Sequence, residues 1–75
     1  GSDGMTIDNK GNIYLTGEGV TVFTSKGHKI QHIPINEEWT ANVTFGGKNQ
    51  DILFITAKGS VYTLKMNVHG VRYTE

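Results

Sequence analysis

The residues whose chemistry matters most sit at the mouths of strand-forming runs. Asp3 stands just before Met5-Thr6-Ile7. A carboxylate there can ligate a hard cation or take a proton from water. Aspartate also makes turns and caps strands, and the residues alone leave both readings open. Asp8 follows five residues later. Five residues of extended chain put the two side chains on opposite faces and more than ~10 Å apart. They cannot share a proton or a small cation, so Asp8 is assigned to a turn. Asn42 opens a second run, Asn42-Val43-Thr44-Phe45, and could reach a substrate or a metal-bound water. A capping or turn asparagine is the alternative there, and Thr40 is a weaker candidate for the same rim. His28, His32 and His69 are scattered, with no spacing that sets two beside an acid. That argues against a zinc site or a catalytic histidine, and all three read as surface residues. Ser2, Ser25 and Ser60 lack the strand–turn–helix context of a nucleophilic serine.

The elements that must position these groups are strands. Met5 and Ile7 alternate with Thr6, and Asp8-Asn9-Lys10-Gly11-Asn12 is a turn sequence. Strands are predicted at residues 4–8, 12–16, 20–24 and 29–35, with turns at 17–19 and 25–28. Pro34 in the fourth strand argues for an edge, because proline cannot donate to a ladder. Met5, Ile7, Ile13, Leu15, Val20 and Val22 are expected on one face of this unit, with Tyr14 and Phe23 on the reverse. The aromatic residues Tyr14, Phe23, Trp39, Phe45, Phe54 and Tyr62 are expected to pack between units. The single helical candidate, Asn36-Glu37-Glu38-Trp39-Thr40, is too short to stand alone.

Composition narrows the class. The chain has 75 residues, so it holds one small domain at most, and it has no cysteine for a disulfide or thiolate metal site. Seven basic and seven acidic residues cancel. That removes the electrostatic footprint of a nucleic-acid binder and leaves no basic run for an anionic membrane. No apolar run approaches the roughly 20 residues of a transmembrane helix. No signal-peptide pattern is present, and the sequence is compatible with a cytoplasmic or a periplasmic setting.

The first unit repeats. Asn42-Val43-Thr44-Phe45 resembles Gly4-Met5-Thr6-Ile7, Leu53-Phe54-Ile55-Thr56-Ala57 parallels Ile13-Tyr14-Leu15-Thr16-Gly17, and Val61 parallels Val20. A period of about 40 residues with four strands per unit is the signature of a β-propeller blade. The sequence therefore divides into a complete blade at 3–35, a connection at 36–41, an incomplete blade at 42–68 and a tail at 69–75. That is about one and three-quarter blades of an all-β, antiparallel propeller, too few to close a ring from one copy.

Asp3-Gly4-Met5-Thr6-Ile7-Asp8, Gly11-Asn12-Ile13-Tyr14, Asn42-Val43-Thr44-Phe45-Gly46-Gly47, Phe54-Ile55-Thr56 and Asn67-Val68-His69-Gly70-Val71 together resemble the C-terminal third of the gluconolactonases. This sugar-lactonase family also includes senescence marker protein and luciferin-regenerating enzyme. The resemblance runs from Asp3 to Val71. It implies a six-bladed propeller with a divalent cation, usually calcium, in the central channel. It also implies that Asp3, the aspartate of the Asp-Gly-Met motif, is both metal ligand and the base that activates water against a lactone. The family's metal-binding glutamate and middle-blade asparagines have no counterpart here, and an N-terminal strand closes the family's last blade. The chain is thus expected to be the C-terminal two-blade part of a metal-dependent lactonase that opens a sugar lactone to an aldonic acid, inactive by itself. The partners would be the lactone and either the remaining blades or further copies of the chain. The competing reading is a non-catalytic propeller unit for binding or scaffolding that self-assembles.

Overall fold

A computed structural model describes residues 4–35, 40–57 and 59–71. Residues 36–39 of the helical candidate at 36–40, Trp39 among them, and Asp3 lie outside the described residues, and Thr40 belongs to a strand.

Seven strands run in chain order: β1 (Met5–Ile7), β2 (Ile13–Gly17), β3 (Gly19–Phe23), β4 (Lys29–Ile33), β5 (Thr40–Gly46), β6 (Ile52–Ala57) and β7 (Ser60–Lys65). They form two antiparallel meanders, a four-stranded sheet in the order β1-β2-β3-β4 and a three-stranded sheet in the order β5-β6-β7. No helix is present among the described residues. Each boundary falls within two residues of its sequence expectation, because turn chemistry fixes it locally. Asp8 accepts the Gly11 N–H at 3.0 Å, and Gly11 takes a φ of 84° that side chains resist. β4 ends at Ile33, one residue before Pro34, and is the outer edge of its sheet. β5 begins at Thr40, inside the stretch expected to be connection, and a bulge between Thr40 and Asn42 turns it into register.

The faces of the first sheet differ from the sequence expectation. Tyr14 pairs with Val22 and Thr16 with Val20, so these four side chains share one face. Met5 pairs with Leu15, Ile7 with Ile13, and Ile13 with Phe23, which assembles the opposite face. Val20 and Val22 therefore lie with Tyr14, and Phe23 lies with the aliphatic residues of β1 and β2. The cause is the tight hairpin at Glu18, where Gly17 pairs directly with Gly19. A turn shifted by one residue would move every side chain of β3 to the other face.

The buried face of the first sheet packs on the second. Tyr14, Val20, Val22 and Ile33 meet Val43, Phe45, Leu53 and Ile55 in one core. Tyr14 and Phe45 touch edge to face, with ring centroids 5.3 Å apart at 87°. Thr40 joins the sheets from the polar side and is fully buried. Its Oγ1 accepts the Gly17 N–H at 3.0 Å and lies within donating distance of the carbonyls of Gly17 (2.9 Å) and Gly19 (2.6 Å). Past β7 the chain turns under both sheets. Met66 N–H donates to Asp51 O, Gly70 N–H to Gln50 O, and Asn9 N–H to His69 O, while Asp8 forms a bridge with Gly70. Residues 69–71, read from the sequence as tail, thus tie the lower turns of the two sheets together. The result is two stacked blades of a β-propeller, the second with three strands.

Candidate functional site

The first strand of each sheet, β1 and β5, lie side by side. Gly4, just before β1, packs against Asn42 of β5. A Cβ on Gly4 would come within 2.3 Å of Asn42 Oδ1 and 2.8 Å of Asn42 Cα, so only glycine fits. The Gly4 backbone is also gripped from its own sheet. Gly4 N–H donates to Thr16 Oγ1 at 2.9 Å, the Thr16 hydroxyl donates to Gly4 O at 3.1 Å, and Thr16 N–H donates to the same carbonyl at 3.1 Å. Asn42 is exposed, and its Oδ1 accepts the Val43 N–H at 2.9 Å. Its side-chain NH2 is then the group with donors to offer a ligand. The structure thus brings Asn42 against the residue that follows Asp3, while Asp3 itself is outside the described residues.

Asp8 and Asp51 have structural work. Asp8 is completely buried. Its Oδ1 accepts the N–H groups of Lys10 at 2.8 Å and Asn12 at 3.0 Å. Its Oδ2 accepts the Asn12 side-chain amide at 3.0 Å and the Tyr14 hydroxyl at 2.8 Å. Burial pushes the Asp8 carboxyl up, but the hydrogen bonds from Asn12, Tyr14 and Lys10 outweigh it and hold it below the usual aspartate range. Tyr14 moves the opposite way. Burial first, then the hydrogen bond to Asp8 and its negative charge, hold the phenol far above its ordinary value. Asp51 is paired with Lys65, and that hydrogen bond holds its carboxyl below the usual range against some burial.

His28 and His32 are exposed, as expected. His69 is half-buried instead, because the chain beyond β7 folds back beneath the sheets. Its Nδ1 lies 2.6 Å from the Asn49 carbonyl, and since a carbonyl can only accept, Nδ1 carries the proton. Two hollows flank the interface. A groove of about 380 Å³ between the outer ends of the sheets is lined by Asp8, Tyr14, Val22, Ile30, Leu64 and Met66. A smaller one of about 250 Å³ lies along the inner strands, between Met5, Thr6, Ile7, Thr44, Phe45 and Gln50. The larger groove is a seam between blades, since Asp8 already serves four donors. Sequence reasoning placed Asp8 in its turn but missed its bond to Tyr14. The available signal was an acid and a tyrosine flanking a turn.

No group of three or more histidine or acidic side chains able to hold a metal occurs among the described residues. With Asp8 and Asp51 engaged, these residues do not fit a calcium site, which needs six to eight oxygens.

Two stacked antiparallel blades, with their inner strands in contact at a glycine that admits no side chain, define a β-propeller segment. The model of the SMP-30/gluconolactonase/LRE-like region matches residues 1–59, and the chain belongs to this family. An uncharacterized protein of Sulfolobus acidocaldarius is 35% identical over 79 residues, which cover 92% of this chain and 29% of that protein. An X-ray structure of a protein described as a candidate gluconolactonase matches with a TM-score of 0.88 and 29% identity, over 96% of this chain and 25% of that one. The chain therefore spans between a quarter and a third of the length of these relatives.

Proposed function

We propose that these residues form two blades of a metal-dependent sugar lactonase that hydrolyses a lactone to an aldonic acid. The observation that carries the reading is the contact between Gly4 and Asn42, which sets the position after Asp3 beside Asn42 on the inner strands. In this reading the Asp3 carboxylate takes a proton from water as the water oxygen adds to the lactone carbonyl carbon. The ring C–O bond then breaks, and the departing oxygen takes up a proton to become the hydroxyl of the open acid. The Asn42 amide donates a hydrogen bond to the substrate. Asp3 is also the ligand this chain would supply to a divalent cation, calcium by family resemblance. The remaining ligands would come from outside the described residues.

The test is a chimera in which this chain replaces the matching quarter of the candidate gluconolactonase, with lactone hydrolysis measured in excess calcium and corrected for spontaneous opening. The chimera is expected to turn over. Asp3→Asn should keep the fold by circular dichroism and lose about 100-fold or more, the scale of a general base. The 75-residue chain alone should stay at background. A folded chimera with no activity, from a parent that is active, would refute the reading, as would Asp3→Asn at full rate.

A further inference from the structure

The buried polar side chains among the described residues are Asp8, Thr16, Thr40 and Asp51. Asp8 supports its turn and Tyr14, Thr40 latches the two sheets, and Asp51 pairs with Lys65. Thr16 is 3% exposed, on the face it shares with Tyr14, Val20 and Val22. Valine would fill that place equally well, and a buried hydroxyl costs stability unless it is bonded. The bonds of this hydroxyl go to a single residue. It accepts the Gly4 N–H at 2.9 Å and donates to the Gly4 carbonyl at 3.1 Å, so it closes on both ends of Gly4. The Thr16 N–H also donates to that carbonyl, but a backbone group is supplied by almost any residue at this position. Asn42 closes the other side of Gly4, since its atoms occupy the space a side chain there would need. Thr16 is braced in turn, because Thr40 Oγ1 accepts the N–H of Gly17 at 3.0 Å.

The Gly4 N–H lies in the peptide plane that also holds the Cα before it, because the amide is rigid and planar. That Cα carries the Asp3 side chain. Setting the direction of the N–H therefore sets the plane from which the Asp3 carboxylate extends. The second blade provides a contrast. Thr56 stands opposite Asn42 as Thr16 stands opposite Gly4, and there the residue at the strand mouth offers its own side chain. In the first blade the mouth residue has none, and the carboxylate hangs one residue earlier. We propose that Thr16 is a positioning residue for lactone hydrolysis: its hydroxyl fixes the Gly4 peptide and so aims the Asp3 carboxylate at the attacking water. The inference rests on the lactonase reading and adds to it the group that makes Asp3 an effective base. A base acts within about 2.6–3.2 Å of its proton donor, and a misplacement of about 1 Å costs about 100-fold. Loss of the hydroxyl therefore acts on kcat.

The experiment has two arms. In the chimera with the candidate gluconolactonase, Thr16→Val, Thr16→Ser and Asp3→Asn are compared over a range of lactone concentrations in excess calcium. Thr16→Val keeps the branched shape and loses the hydroxyl. Its kcat is expected to fall about 10- to 100-fold, with KM within about 3-fold of the unsubstituted chimera. Thr16→Ser restores the hydroxyl and most of kcat. On an Asp3→Asn background, Thr16→Val is expected to cost nothing further, because both changes act through one group. The second arm needs no activity. In the 75-residue chain the Gly4 amide proton is expected to exchange at least about tenfold faster in Thr16→Val than in wild type or Thr16→Ser. The Val22 amide, in the middle of the sheet, should be unchanged and serves as the control for folding. Asp3→Asn at full rate overturns the lactonase reading and this inference together. With Asp3→Asn inactive, three results overturn the inference alone: Thr16→Val at full kcat, Thr16→Ser as slow as Thr16→Val, or a further loss from Thr16→Val on the Asp3→Asn background. A Gly4 exchange rate that the hydroxyl does not change overturns it as well.

Discussion

Replacing Asp8 tests whether its buried carboxylate is the main polar support of the first blade. In Asp8→Ala four donors lose one acceptor group. Lys10 is exposed and Asn12 half-buried, so their N–H groups recover water at a cost of about 1 kcal/mol together. The Tyr14 hydroxyl cannot, because Tyr14 is 2% exposed. A buried hydroxyl left without a partner costs about 1–3 kcal/mol. The total is about 3 kcal/mol, against a whole-domain stability of about 4–11 kcal/mol for 75 residues. Tyr14→Phe removes one donor and leaves the carboxylate with three, for about 1 kcal/mol. The double variant strands no hydroxyl, so only the about 1 kcal/mol at Lys10 and Asn12 remains, about 3 kcal/mol less than the sum of the single changes. The assay is urea unfolding followed by far-ultraviolet circular dichroism. Chain concentration is held fixed, since association couples stability to concentration. An Asp8→Ala variant within about 0.5 kcal/mol of wild type, or an additive double variant, refutes the reasoning.

The same carboxylate sets an acid limit. Its folded pKa is depressed below 3.8, so its stabilisation is complete above that value and is lost as pH falls through the folded pKa. The gap in urea midpoint between wild type and Asp8→Asn should close below about pH 3.8, and a gap constant down to pH 2 would contradict this. Thr40→Val keeps the shape of the latch but strips the hydroxyl from Gly17 and Gly19, and should cost about 2 kcal/mol in urea unfolding. Gly4→Ala must push β1 away from Asn42 and should alter the Asn42 side-chain amide signals in a nitrogen–proton spectrum. Unchanged signals would mean that the two inner strands do not touch there. Lys65→Met removes the partner of Asp51, and the Asp51 pKa measured by carbon NMR should rise towards its ordinary value.

What the sequence determined by itself was local. Strand positions followed from alternation and turn chemistry, as at Asp8–Gly11, where an acid and a glycine specify the reversal within five residues. The division into two blades followed from the repeat, and the resemblance identified the family that the comparison then established. Gly4 was legible as part of a motif, but its reason was not, since that reason is the Oδ1 of a residue 38 positions away in a different sheet. Asn42 was placed at the mouth of its strand by pattern, and only the stacking of the sheets set it beside Gly4. The face assignment of Val20 and Val22 failed because alternation gives each strand two equivalent faces. The pairing of Gly17 with Gly19 chooses between them. The role of Asp8 was hidden for the same kind of reason. A turn aspartate and a core aspartate have the same local sequence, and burial beneath the second sheet and the bridge to Gly70 makes this one a core residue. Local geometry fixes strands and turns because their bonds close within a few residues. Faces, burial and side-chain partners depend on how separate strands meet, which is decided only when the two sheets pack.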